Sequence, residues 1–208
     1  QVAHQVGATV IVDNTFATPI NCNPLELGAD LVLHSATKYL GGHADALGGI
    51  ICGGKDLIES IYHFREINGA TLHPMAGYLL LRGMKTLHLR IRQQNASAQI
   101  IAEFLAKHPT VENVYYPGLP SHENHDIAAH QMRGFGGMLS FTLKGDFDAV
   151  REFIPRLRYA HAAANLGAVE TIVGPPATTS HVEVSREQRA KMGIPEGLIR
   201  YSVGIEDT

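Results

Sequence analysis

The run Asp30-Leu31-Val32-Leu33-His34-Ser35-Ala36-Thr37-Lys38-Tyr39-Leu40-Gly41-Gly42-His43-Ala44-Asp45 constrains the fold most, because it sets one lysine just beyond a buried-type apolar strand, among hydroxyls and glycines. Leu31 to Leu33 read as a short strand. Gly41 and Gly42 interrupt regular structure and permit a close approach of backbone to a ligand. A lone serine-x-threonine-lysine string most often marks a solvated turn. A second segment changes that balance: Thr9 to Val12 is a β-branched strand that ends in Asp13, and the end of such a strand is where open α/β sheets bind ligands.

Lys38 follows Asp13 by 25 positions, one strand later. This pairing suits pyridoxal 5'-phosphate: a lysine amine to form a Schiff base with the aldehyde, and a carboxylate to pair with the pyridinium nitrogen and keep the ring an electron sink. Ser35 and Thr37 supply hydroxyl donors for the phosphate.

Three segments together resemble the Cys/Met-metabolism, or trans-sulfuration, family of fold-type I pyridoxal-phosphate enzymes: Val12 to Pro19, Asp30 to Asp45, and Leu198 to Asp207. They span almost the whole chain in the family's order. The family includes cystathionine γ-synthase, cystathionine lyases, methionine γ-lyase and acylhomoserine sulfhydrylases. The resemblance implies the α/β fold of type I pyridoxal-phosphate-dependent transferases, here as part of the large domain (a mostly parallel sheet with helices) plus a small α+β domain. It implies Lys38 as the Schiff-base lysine, Asp13 as the ring partner, Ser35 and Thr37 in the phosphate cup, and Arg200 as the clamp for the substrate α-carboxylate, a task suited to the guanidinium fork. The simpler reading of Arg200, a surface ion pair with Glu206 or Asp207, is weakened by the apolar residues that flank it.

Substrate choice rests on Ala164-Asn165-Leu166-Gly167-Ala168-Val169-Glu170-Thr171. Cystathionine-directed members commonly carry an acidic residue before a serine in this loop. Here the acidic group is absent and Asn165 replaces the serine, which resembles sulfhydrylases. Asn165 is therefore expected to bind substrate, with a preference for neutral side chains such as those of methionine or O-acetylhomoserine. Ala44 departs from the family's usual Gly-His-Ser-Asp and removes one hydroxyl from that turn.

The chain opens at Gln1 in what reads as the tail of a helix, and the resemblance implies that an N-terminal part of the fold, with the glycine-rich phosphate loop and ring-stacking tyrosine, and a last C-terminal helix lie outside it. Two units are expected, residues 1–108 from the cofactor domain and residues 109–208 as the small domain, divided at His108 and Pro109. The parent enzyme is expected to be a homotetramer built of dimers. Other readings stay open: a catalytically silent fragment, or another fold-type I enzyme such as an aminotransferase.

At 208 residues with 45% hydrophobic composition the chain can bury a sizeable core. A net charge of -3 with interspersed signs offers no basic stripe for nucleic acid. No apolar run approaches the roughly 18 residues of a membrane span. Cys22 and Cys52 form no disulfide or metal pattern, so two buried free thiols and a cytoplasmic setting are expected. The histidines at 122, 125 and 130 match no zinc spacing, and no metal is expected. Helices are expected over Lys55 to Glu66, from Pro74 to about His108 with a break near Gly83 or Asn95, and over Phe147 to Arg156; strands over Leu47 to Cys52, Val111 to Tyr116 and Gly134 to Leu143. Arg82, Lys85, Arg90 and Arg92 read as a solvated helix face.

Overall fold

A computed structural model describes residues 2–208. Helix α1 (Val2–Gln5) leads into strand β1 (Ile11–Asp13), helix α2 (Thr18–Asn21), β2 (Leu31–Ser35) and β3 (Gly49–Gly53). These strands form one sheet in the order β1-β2-β3. β1 and β2 run parallel, with Asp13 opposite Leu33, and β3 returns antiparallel with Val32 opposite Cys52. A parallel pair needs a crossover, supplied by α2 and a single 3-10 turn at Pro24–Leu27. Its consequence is chemical: the C-terminal ends of β1 and β2, which carry Asp13 and Ser35, lie at the same end of the sheet.

Helix α3 (Lys55–Asn68) buries no side chain, and is followed by α4 (Pro74–Met84) and α5 (Leu87–Lys107). Pro74 begins α4 where its missing N–H costs nothing, and the His73 ring accepts from the Met75 N–H at 3.2 Å. The long helical pattern breaks between Met84 and Leu87, where the Thr86 hydroxyl donates to the Gly83 carbonyl at 3.2 Å. Asn95 lies within an unbroken α5.

Leu87, Ile91, Ala98 and Ala102 lie on the buried stripe of α5 at four- and seven-residue spacings. Its first half packs with Tyr39, Leu40, Leu80 and Leu166. Its second half packs with Tyr116, Leu139, Phe141 and Ile199. One helix thus serves two cores, and each large apolar side chain buried there contributes roughly 1.5–3 kcal/mol.

The remainder is β4 (Val111–Tyr115), α6 (His125–Gln131), β5 (Met138–Leu143), α7 (Asp146–Phe153), β6 (His161–Ala162), β7 (Ile172–Gly174), α8 (Arg186–Lys191) and β8 (Leu198–Ser202), with the sheet order β4-β5-β8-β7-β6. The strand expected from Gly134 begins only at Met138. Gly134 packs against the reciprocal amide pair Asn21–Asn95 (2.8 and 3.0 Å), which ties α2 to α5. α7 ends at Phe153 and a 3-10 turn covers Ile154–Arg156, because Pro155 lacks the N–H a continuing helix would use. The short strands β6 and β7 and the helix α8 carry too few residues to show a period in the sequence.

Two buried thiols were expected, and neither cysteine fits: Cys22 is half-buried, with desolvation raising its pKa against the opposing charge of Arg133, and Cys52 is exposed on the outer strand β3. The His125 ring is hydrogen-bonded to the Pro117 carbonyl at 2.8 Å and tilts against Phe135. Among the described residues no helix is long and apolar enough to cross a membrane.

Candidate active site

After Ser35 the chain leaves β2 through one wide helical turn, Ala36–Leu40, in which Lys38 alone departs from helical dihedrals (φ −92°, ψ −125°). The Lys38 ammonium donates to Asn165 Oδ1 at 2.6 Å, across 127 positions of sequence. The main-chain carbonyl of Asn165 accepts from Arg200 Nη2 at 3.3 Å. Arg200 lies in β8, between Ser140 of β5 and Gly174 of β7. Lys38, Asn165 and Arg200 therefore meet although three distant segments supply them.

Desolvation lowers the Lys38 pKa, and the neighbouring Arg200 charge lowers it further. Burial likewise lowers that of Arg200. A lysine held below its ordinary range has more neutral amine at physiological pH, which is what a nucleophile or proton acceptor requires. Arg200 makes no ion pair with Glu206. Glu206 instead accepts from the Thr171 N–H at 2.6 Å and hydroxyl at 2.7 Å, closing the loop next to β8.

Asp13 is exposed at the end of β1, with Oδ1 accepting from the Thr15 N–H at 3.0 Å. Thr15 in turn accepts from the Ser35 N–H at 2.8 Å, so the two strand ends are stitched together. The Ser35 hydroxyl has no hydrogen-bond partner among the described residues. Thr37 differs: its hydroxyl accepts from the Gly48 N–H at 3.1 Å and donates to the Gly48 carbonyl at 3.4 Å. The donor set suits pyridoxal phosphate: an amine of lowered pKa for the aldehyde, a carboxylate with an oxygen to spare for a ring N–H, and an unengaged hydroxyl for the phosphate.

Gly41 and Gly42 serve a different purpose from the expected approach to a ligand. A Cβ on Gly83 of α4 would overlap the Gly41 carbonyl, and a Cβ on Gly42 (φ +75°) would overlap the Arg90 guanidinium. The glycines admit a helix and a buried arginine. Arg82, Lys85 and Arg92 are exposed, whereas Arg90 is not, and this residue was missed because its spacing is that of its solvated neighbours. Gly167 (φ +76°) was missed too: its loop lies against the peptide between Lys38 and Tyr39, where a Cβ would stand 2.7 Å from the Tyr39 nitrogen.

A family model described as Cys/Met metabolism PLP-dependent enzyme matches residues 1–208. The chain belongs to this family. Cystathionine gamma-synthase 1, chloroplastic, of Arabidopsis thaliana is 49% identical over 207 residues, covering all of this chain and 37% of that protein. L-methionine gamma-lyase of Pseudomonas putida is 47% identical, covering all of this chain and 52% of the relative. Among solved structures, cystathionine gamma synthase from Xanthomonas oryzae pv. oryzae in complex with cystathionine superposes with a TM-score of 0.95 at 45% identity, covering 99% of this chain and 53% of the other. The chain spans about half the length, or less, of these Cys/Met-family relatives. Membership fixes pyridoxal phosphate as the family's cofactor and sets aside the aminotransferase reading.

Proposed function

We propose that this chain carries the lysine and carboxylate-binding part of a pyridoxal-phosphate enzyme of sulfur amino-acid metabolism, which eliminates or replaces a group at the β- or γ-carbon of methionine, an acylhomoserine or cystathionine. The contact of Lys38 with Asn165, whose carbonyl receives Arg200, carries this reading, since it sets an amine of depressed pKa beside a receptor for an α-carboxylate.

When bound, the cofactor supplies an aldehyde and a cationic ring able to accept electrons from the substrate α-carbon. Lys38 would hold it covalently and, once displaced by the substrate amine, take the α-proton at Nζ. Asp13 would accept the ring N–H, and Ser35 with Thr37 would face the phosphate. Thr37 can do so only by giving up its weak 3.4 Å bond to Gly48. Arg200 would hold the α-carboxylate with two parallel bonds.

Asn165 supports a substrate with a neutral side chain, methionine or O-acetylhomoserine, because the position before it is Ala164 and not a carboxylate that could pair with a distal ammonium. The full-length enzyme tests this: a kcat/KM for cystathionine well above those for methionine and acylhomoserines overturns it. A borohydride-reducible absorbance band with pyridoxal phosphate, abolished by Lys38→Ala, tests the cofactor role against the reading of a silent fragment. A homotetramer belongs to the same proposal, supported by the exposed Met75, Tyr78 and Leu81 of α4. A reducing cytoplasmic setting is supported by two unpaired cysteines.

A further inference from the structure

Arg90 is 3% exposed, and no carboxylate among the described residues forms an ion pair with it. A guanidinium taken out of water without a counter-ion is costly unless fixed dipoles replace the lost solvent. Four acceptors do so: the Tyr39 carbonyl at 2.7 Å, the Leu40 carbonyl at 3.2 Å, the Gly83 carbonyl at 2.9 Å and the Thr86 hydroxyl at 3.1 Å. The three carbonyls close the C-terminal ends of two helical segments, the Ala36–Leu40 turn and α4, where helical dipoles concentrate negative partial charge.

Tyr39 and Leu40 directly follow Lys38. Within the same turn the Ala36 carbonyl accepts from the Gly41 N–H at 2.9 Å and the Lys38 carbonyl accepts from the Gly42 N–H at 2.8 Å. Gly42 leaves the room that the guanidinium occupies, and Gly167 lies against the Lys38–Tyr39 peptide. Two segments distant in sequence thus pack on the turn. Only the planar fork of arginine can reach four separated acceptors at once; a lysine has one nitrogen.

We propose that Arg90 is a positioning residue of the Lys38 site, a guanidinium without a counter-ion that locks the carbonyls of Tyr39 and Leu40 and so sets the direction in which the Lys38 amine leaves its turn. The inference rests on Lys38 as the cofactor lysine and adds a residue that touches neither cofactor nor substrate.

Arg90→Lys in the full-length protein tests it by two readouts. The first is the rate at which pyridoxal phosphate with borohydride labels Lys38, measured well below the melting temperature. The second needs no cofactor: hydrogen-exchange protection of the Gly41 and Gly42 amides. Labelling about tenfold slower and protection about tenfold lower, with the melting temperature and the protection of β5 and β8 unchanged, is the expected result for losing anchors of a charged donor. Labelling and protection equal to the wild type overturn the proposal. Failure of the wild type itself to label would refute the cofactor reading, and amide protection alone would then decide whether Arg90 orders the turn. If Arg90→Lys does not fold, Thr86→Val removes the acceptor of Nε, together with the hydroxyl's own bond to the Gly83 carbonyl, and leaves the three carbonyl contacts of the guanidinium in place; losses of about threefold in both readouts are then expected, and none overturns the inference.

Discussion

Lys38 Nζ stands 2.6 Å from Asn165 Oδ1, although 127 positions separate the two residues in the chain. The same asparagine receives Arg200 through its carbonyl, so the amine and the guanidinium are held on one short support.

Asn165→Asp puts a carboxylate where a neutral acceptor stood. An opposite charge in contact with an ammonium stabilises the protonated form, so the Lys38 pKa rises, by about one unit or more against the opposing charge of Arg200. The pH at which Lys38 is half-labelled by pyridoxal phosphate is expected to move upward. A profile that matches the wild type would remove Asn165 from the control of Lys38.

Arg200→Met removes the proposed carboxylate clamp. Two bonds to a charged group are worth together about 3 kcal/mol, and kcat/KM of the full-length enzyme should fall about 100-fold. The loss of positive charge should also raise the Lys38 pKa, since Arg200 is one cause of its depression. Steady-state kinetics and the pH profile of labelling check the two effects separately.

The depressed Lys38 pKa has a stability consequence whose sign is opposite to that of a paired lysine. The unfolded chain binds the Lys38 proton more tightly than the folded one, so protonation favours unfolding. Stability of the cofactor-free protein should rise with pH from below the folded pKa of Lys38 up to the ordinary lysine value, and Lys38→Met should flatten that rise. Urea unfolding of both proteins across this window measures the difference.

Gly167→Ala places a Cβ 2.7 Å from the Tyr39 nitrogen and 3.1 Å from the Lys38 carbonyl carbon, at a residue with φ +76°. The backbone strain alone costs about 1–3 kcal/mol. Calorimetry should record a lower melting temperature, and because the clash falls on the Lys38 peptide, labelling of Lys38 should slow as well.

Much of the site was legible in the sequence because it lies at strand ends. An apolar run of β-branched residues that stops at Asp13, and the apolar run Leu31 to Leu33 that stops just before His34 and Ser35, declare their own ends, and residues just beyond them lie at the end of the sheet wherever the strands pair. The flanking apolar residues of Arg200 likewise announced a strand, and β8 runs through it. Thr37 read as a phosphate donor, but its hydroxyl bonds the Gly48 backbone, a contact that depends on how the chain returns from Gly41 to β3. Arg90 was hidden because exposure is decided by what packs on a helix, and its sequence neighbours at 82, 85 and 92 are solvated.

The sequence by itself determined the chemistry available: one lysine, one strand-end carboxylate, hydroxyls beside the lysine and a guanidinium in an apolar strand, each readable from residue type and local period. Only the tertiary structure decided which of them meet. The parallel register of β1 with β2 puts Asp13 and Ser35 at one end of a sheet, and the order β5-β8-β7 carries Arg200 to the Asn165 loop and so to Lys38. Those contacts arise from burial and hydrogen bonding between segments far apart in the chain, which no local pattern encodes.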